Sequence, residues 1–185
     1  MTRNFEEAYN KTAQIEGYYA NNPDDKGGET YCGIARKFHP DKGKHIDKTR
    51  FGQPKNQRFA KLDDDVKLFY YNVFNNLRLN DISVDLATMI YDVAVNMGSY
   101  KAIEFVQRAL NVANIKEKLE DLKVDGIIGS KTINIIQKVN SDYSKKKEIK
   151  VYICLKGYRY INIMEKNESQ EIFASSVSRV KLEEK

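Results

Sequence analysis

Tryptophan is absent from this 185-residue chain, and cysteine, proline and histidine number only two, three and two. Two cysteines, Cys32 and Cys154, are too few for a disulfide framework or a zinc knuckle. Their spacing does not decide whether they pair, and they read as two small buried thiols. With so little proline, ten glycines and no low-complexity tract, disorder is expected only at the two ends. No run reaches the roughly 18 apolar residues that a membrane-crossing helix needs, so no membrane insertion is expected. Residues Met1 to Glu7 lack the apolar core of a signal peptide. A chain made in the cytoplasm that acts outside it would then need another route. No stripe of Lys and Arg interleaved with aromatics appears, which argues against nucleic acid as a partner.

What is present suits one ordinary domain or two small lobes sharing a core, with 41% hydrophobic residues. The net charge of +5 raises the concentration of the protein around anionic polymers without choosing among them. Apolar residues recur at helical spacing nearly everywhere, which predicts a mostly α fold. Helices are expected over 4–16, from Asp63 to about 77 with Asp63 as N-cap, over 83–97, over 99–112, over 131–140 behind Ser130, over about 142–165 and near 169–182. Gly33–Phe38 reads as a short helix stopped before Pro40. Between these lie a turn-rich stretch, 17–33, read as an ordered loop or short hairpin, and a polar stretch, 41–60, read as a mobile surface insertion.

The polar constellation that stands out is Glu16, Asp25 and Thr30. Glycosidic hydrolysis needs a carboxylic acid to protonate the leaving oxygen and a second polar group to orient water or steady positive charge on the sugar. A glutamate covered by apolar side chains keeps its proton near neutral pH. Ile15, Tyr18, Tyr19 and Tyr31 are placed to cover Glu16. The plainer alternative is a solvated helix end followed by ordinary Asp-Gly turn chemistry. Asp92 and Asn96, four apart on one helical face, either reach a sugar or tie their helix to its neighbours. Val124–Gly129 has too few oxygen ligands for a calcium loop and reads as a structural turn. His39 and His45 read as surface residues. The basic, tyrosine-rich stretch near 142–165 either touches acidic wall polymers or packs its tyrosines inward with its lysines solvated.

The run Glu16-Gly17-Tyr18-Tyr19-Ala20-Asn21-Asn22-Pro23-Asp24-Asp25-Lys26-Gly27-Gly28-Glu29-Thr30, followed by Gly33-Ile34, resembles the signature of glycoside hydrolase family 108. The elements Asp92-Val93-Ala94-Val95-Asn96-Met97-Gly98, Gln107-Arg108-Ala109-Leu110 and Val124-Asp125-Gly126-Ile127-Ile128-Gly129-Ser130-Lys131-Thr132 follow in the family's order. The resemblance covers most of residues 5–140. It departs from the family at Tyr18, which stands for a glycine, and at Ser175–Arg179, where an aromatic-rich segment is usual.

The resemblance implies a lysozyme-like fold with a small loop or hairpin carrying the active site. Residues 1–97 would form the catalytic part and 98–182 a helical peptidoglycan-binding module. It implies an N-acetylmuramidase with Glu16 as general acid and Asp25 or Thr30, or both, as the second group. Asp24 restores the spacing of phage-type lysozymes to Thr30 but spoils the spacing to Glu16. Tyr18, Tyr19, Asn21, Tyr31, Asp92 and Asn96 are the candidate substrate-binding residues. No metal and no cofactor are expected. The partner would be the peptidoglycan glycan strand, with a holin or secretion machine for export and a monomer in solution. Family members are also known as secretion activators. The alternative function is a non-catalytic wall-binding or secretion-associated protein on the same fold.

Overall fold

The computed structural model describes residues 1–13, 19–20, 28–41, 63–113, 120–139 and 145–166. By compactness the chain divides into two units, Met1–Asn80 and Asp81–Lys185. Among the described residues it is mostly helical, a lysozyme-like α fold with one small sheet.

In the first unit, helix α1 spans Arg3–Ala13. Thr2 caps it, its hydroxyl accepting from the Phe5 backbone N–H at 3.4 Å. Phe5, Ala8 and Thr12 repeat every three or four residues and are buried. The Phe5 ring meets Tyr71 and Phe74 of helix α2, Asp63–Asn76, at 5.0 and 5.6 Å between centroids. A 2.7 Å ion pair between Lys67 and Glu6 adds a polar tie between the two helices. Val66, Tyr70 and Phe74 carry the buried stripe of α2. A 3-10 turn, Leu79–Asp81, follows and buries Leu79.

The sheet consists of β1 (Tyr19–Ala20), β2 (Thr30–Tyr31) and β3 (Ile34–Ala35), antiparallel and in that order. The short helix expected over Gly33–Phe38 is replaced by β3 and a turn. Its residues Ala35, Arg36 and Lys37 favour helix, but Cys32 and Gly33 take left-handed φ values of 48° and 76°. Positive φ at both central residues defines the tight two-residue turn that matches strand twist, and it sends the chain back along β2.

In the second unit, α3 spans Val84–Met97, α4 Ser99–Ala113, α5 Ser130–Val139 and α6 Lys145–Lys166. These lie within a residue or two of the periodicity-based expectations wherever they are described, as helix ends generally do. Helix α4 is the hub, packing on α3, α5 and α6. Its buried residues Ala102, Ile103, Phe105, Val106, Ala109 and Leu110 span more than one face, as a central helix requires. Gly98 alone joins α3 to α4. Its φ of 85° and ψ of 152° fall where only glycine is comfortable.

The two cysteines are not joined by a disulfide, and the expectation of buried thiols is corrected: Cys32 is half-buried in its turn and Cys154 is exposed on α6. The 41–60 insertion (beyond Asp41), His45 and the helix near 169–182 lie outside the described residues. His39 is half-buried, with its ring edge against Phe69 at 4.7 Å.

Candidate active site

Glu16, Tyr18, Asn21 and Asp25 lie outside the described residues, as does Asp24. The ends of the loop that holds the last three are described. Ala20 pairs with Thr30 and Tyr19 with Tyr31, so the antiparallel ladder brings residues 20 and 30 side by side. Thr30 in turn faces Ala35, and Tyr31 faces Ile34.

Three contacts hold this closure. Arg36 forms an ion pair with Glu29, and its backbone N–H donates to the Glu29 carbonyl at 2.9 Å, just outside the Thr30–Ala35 rung. The hydroxyl of Tyr70, from α2, donates to the carbonyl of Cys32 and steadies the turn residue whose conformation is least favourable. Tyr31 is completely buried beneath the sheet. Successive strand residues point to opposite faces. Burying Tyr31 therefore turns Thr30 the other way, where it is half-buried. A hydroxyl so placed at the loop's exit can hold a water or a sugar hydroxyl. The ring of Tyr31 supports this position by packing; with no exposed surface, it does not offer a face to a sugar.

Asp92 and Asn96 lie in the second unit on α3. Asp92 forms an ion pair with Lys156 of α6, whose side chain is only 8% exposed. The Asn96 amide donates to the Asp92 carbonyl at 2.7 Å and to its carboxylate at 3.4 Å. Of the two readings open for this pair, the Asp92 contact matches the one that ties the helix to a neighbour, while these two Asn96 bonds stay within α3. The expectation of solvated lysines on α6 is corrected at Lys156. A buried ammonium needs a counterion, and Asp92 supplies it. Tyr152, one turn before Lys156, is buried too, while Tyr158 is 63% exposed. Burial and the negative charge of Asp92 push the Tyr152 hydroxyl well above its usual titration range.

The Gln107 and Val124–Gly129 elements meet each other. Gln107, buried on α4, uses all four of its amide bonds on the turn. Its oxygen accepts from the N–H groups of Asp125 and Gly126 at 3.0 and 2.9 Å. Its nitrogen donates to the Asp125 carboxylate at 2.9 Å and the Ile127 carbonyl at 3.1 Å. One turn on, Asn111 exchanges two 2.8 Å bonds with the backbone of Leu122. The bonds from Gln107 and from the Ile127 N–H hold the Asp125 carboxyl below its ordinary 3.8. The reading of Val124–Gly129 as a structural turn therefore agrees with its contacts. Among the described residues, no group of three His, Cys, Asp or Glu side chains could hold a metal ion.

Sequence reasoning missed Lys156, because its counterion is 64 residues away and charge alternation carries no register over that distance. It also placed Gly33 at the start of a helix instead of in the tight turn, for which the pair Cys32-Gly33 was the available signal.

Residues 9–98 match the family model described as glycosyl hydrolase 108. Residues 101–176 match one described as a predicted peptidoglycan domain. No curated protein matches the chain. Among solved structures, that of SagA from Brucella abortus is similar, with 21% identity over 95% of this chain and 90% of that one, at a TM-score of 0.60. At that identity the likeness is one of fold.

Proposed function

Residues 9–98 belong to the glycosyl hydrolase 108 family and residues 101–176 carry a peptidoglycan domain, and from that premise we propose that the protein cleaves the glycan strand of peptidoglycan as an N-acetylmuramidase. At the coarser level it is a glycoside hydrolase whose function concerns peptidoglycan and whose place of action is the cell wall. The observation that carries the finer reading is the match of 9–98 to a hydrolase family across a segment that contains Glu16, Asp25 and Thr30 in the family's pattern.

In this reading Glu16 protonates the glycosidic oxygen as the bond to N-acetylmuramic acid breaks. Asp25, Thr30 or both hold the attacking water or stabilise the oxocarbenium-like sugar. The sheet and its Tyr70 and Arg36 anchors support this assignment by fixing the Thr30 end of the loop. Tyr18, Tyr19 and Asn21 would contact the sugar. Residues 1–97 act as the catalytic part and 98–182 as the wall-engaging part. Export through a holin or a secretion machine, and action as a monomer, complete the proposal.

The test is a zymogram on purified wall material, wild type beside Glu16→Gln. Removing a general acid costs about 10²–10⁴ in rate, so the variant should leave no clearing. Equal clearing by both removes Glu16 from the mechanism. No clearing by either, with retention on pelleted wall, makes the protein a wall binder without turnover.

A further inference from the structure

Just before the peptidoglycan-domain match stands an aromatic ring that folding leaves outside. Tyr100, on the first turn of α4, is 56% exposed. It nevertheless lies against the backbone of Gly126: a Cβ at that glycine would come within 2.4–2.9 Å of its ring carbons. Gly126 also has a φ of 68°. The turn beneath the ring is the one pinned by Gln107. The next residue, Ile127, has its N–H held by Asp125 at 3.0 Å and its carbonyl by Gln107, yet its side chain is 67% exposed. Val124, two residues before Gly126, is 42% exposed. Here a rigid backbone holds an aromatic and two branched aliphatic side chains toward solvent. Lys101 flanks the ring, its ammonium 5.7 Å from the centroid and ion-paired with Glu104, and Lys123 lies close enough for its charge to act on Asp125.

We propose that Tyr100, laid over the Gly126 turn and flanked by Ile127 and Lys101, is a stacking platform for the amino-sugar strand of peptidoglycan. The proposal rests on the reading of the protein as a wall-degrading enzyme and names a subsite within the segment that would engage the wall. A pyranose ring offers a face of C–H groups to an aromatic. A ring already held in place loses little freedom on binding. The lactyl-peptide branches of the wall carry carboxylates, which suit exposed Lys123 at the rim and the net charge of +5. A protein partner fits less well, because a stable interface engages about 20–30 residues a side. Single-stranded nucleic acid fits less well too, because it calls for successive aromatic platforms along a basic groove.

The experiment is co-sedimentation of the full chain with purified wall sacculi, in a Glu16→Gln background so that the wall persists. Tyr100→Ala should lower retention roughly fivefold to tenfold, the scale of one aromatic stacking contact, with the melting curve in place. Tyr100→Trp should keep retention. Should Tyr100→Ala fail to fold, Ile127→Asp at the exposed neighbour gives the same reading. Equal retention by the parent, Tyr100→Ala and Ile127→Asp overturns the platform and leaves the hydrolase proposal standing. No retention by the parent overturns the platform as well, and the wall-engaging role of residues 98–182 with it. A change in the sedimentation coefficient of Tyr100→Ala, with wall retention intact, would make this surface a contact between copies and overturn the proposal.

Discussion

At the scale of single residues, backbone conformation and one buried amide carry more of the fold than their size suggests. Gly33 sits at φ 76° and Cys32 at φ 48° in the turn that closes the candidate active-site sheet. A side chain costs roughly 1–2 kcal/mol in that conformation. Gly33→Ala should therefore lower the melting temperature by about 2–8 °C for a chain of this size, while Cys32→Asn should hold or raise it. Unchanged melting of Gly33→Ala would mean the turn relaxes without loss. Gln107 makes a second, independent case. Gln107→Leu strands the N–H groups of Asp125 and Gly126, and should cost about 2–3 kcal/mol in urea denaturation at neutral pH. Asp125 adds a pH signature. Its carboxyl is lowered in the folded state, so its contribution is complete above the ordinary 3.8 and is lost as pH falls through the folded value. In Gln107→Leu that acid-side loss should shrink, which a series of urea midpoints between neutral and strongly acid pH would read.

At the scale of elements, α6 packs on α4 by apolar burial and is tied to α3 by charge. Removing one partner of a buried pair leaves the other charge unscreened, at a cost of about 3–5 kcal/mol. Lys156→Met should show a loss of that order by denaturation, and Asp92→Leu combined with Lys156→Met should recover most of it. A double variant no better than the single would show that the ion pair is not what the loss reports. Tyr152 on the same helix gives the opposite expectation. Among the described residues its buried hydroxyl has no hydrogen-bond partner, so Tyr152→Phe should be neutral or stabilising at pH 7. Because the hydroxyl titrates higher when folded, it adds no pH-dependent cost below the unfolded value near 10 and destabilises the fold increasingly above it. The variant should lose less stability than wild type in alkali.

The elements were legible where a single rule governed them. Val66, Tyr70 and Phe74, or Ala87, Ile90 and Ala94, announce their helices by spacing alone, because a stripe facing one core imposes one period. Gly33–Phe38 was misread because its side chains favour helix while the backbone angles of Cys32 and Gly33, at its entry, forbid one. The candidate site was legible as a pattern of residue types around Glu16, and its closure by Tyr70 and Arg36 was not, since neither contact has a local signature. Asp92 was visible as a polar residue on an apolar helix. What it pairs with depended on α6, which no periodicity could bring alongside.

At the scale of the whole chain, the family segments and the compact units do not share a border. The hydrolase match runs to residue 98, whereas the first unit ends at Asn80. Helix α3 therefore belongs to the hydrolase by sequence and packs on α4 and pairs with α6 of the peptidoglycan segment. A fragment of residues 1–98 should show fast amide hydrogen exchange across 84–97, and a fragment of 81–185 should protect the same residues. Protection of 84–97 in the shorter fragment would contradict the packing.

The one-residue joint at Gly98 bears on how this family can be recombined. Chimaeras that exchange peptidoglycan-domain halves between relatives invite a crossover between residues 98 and 101, where the two matches part. That cut would transplant α4 and α6 onto a foreign α3, with an elbow only one residue long to absorb any misfit in packing. A crossover near residue 80 inherits the elbow, the ion pair and the hub helix as one graft.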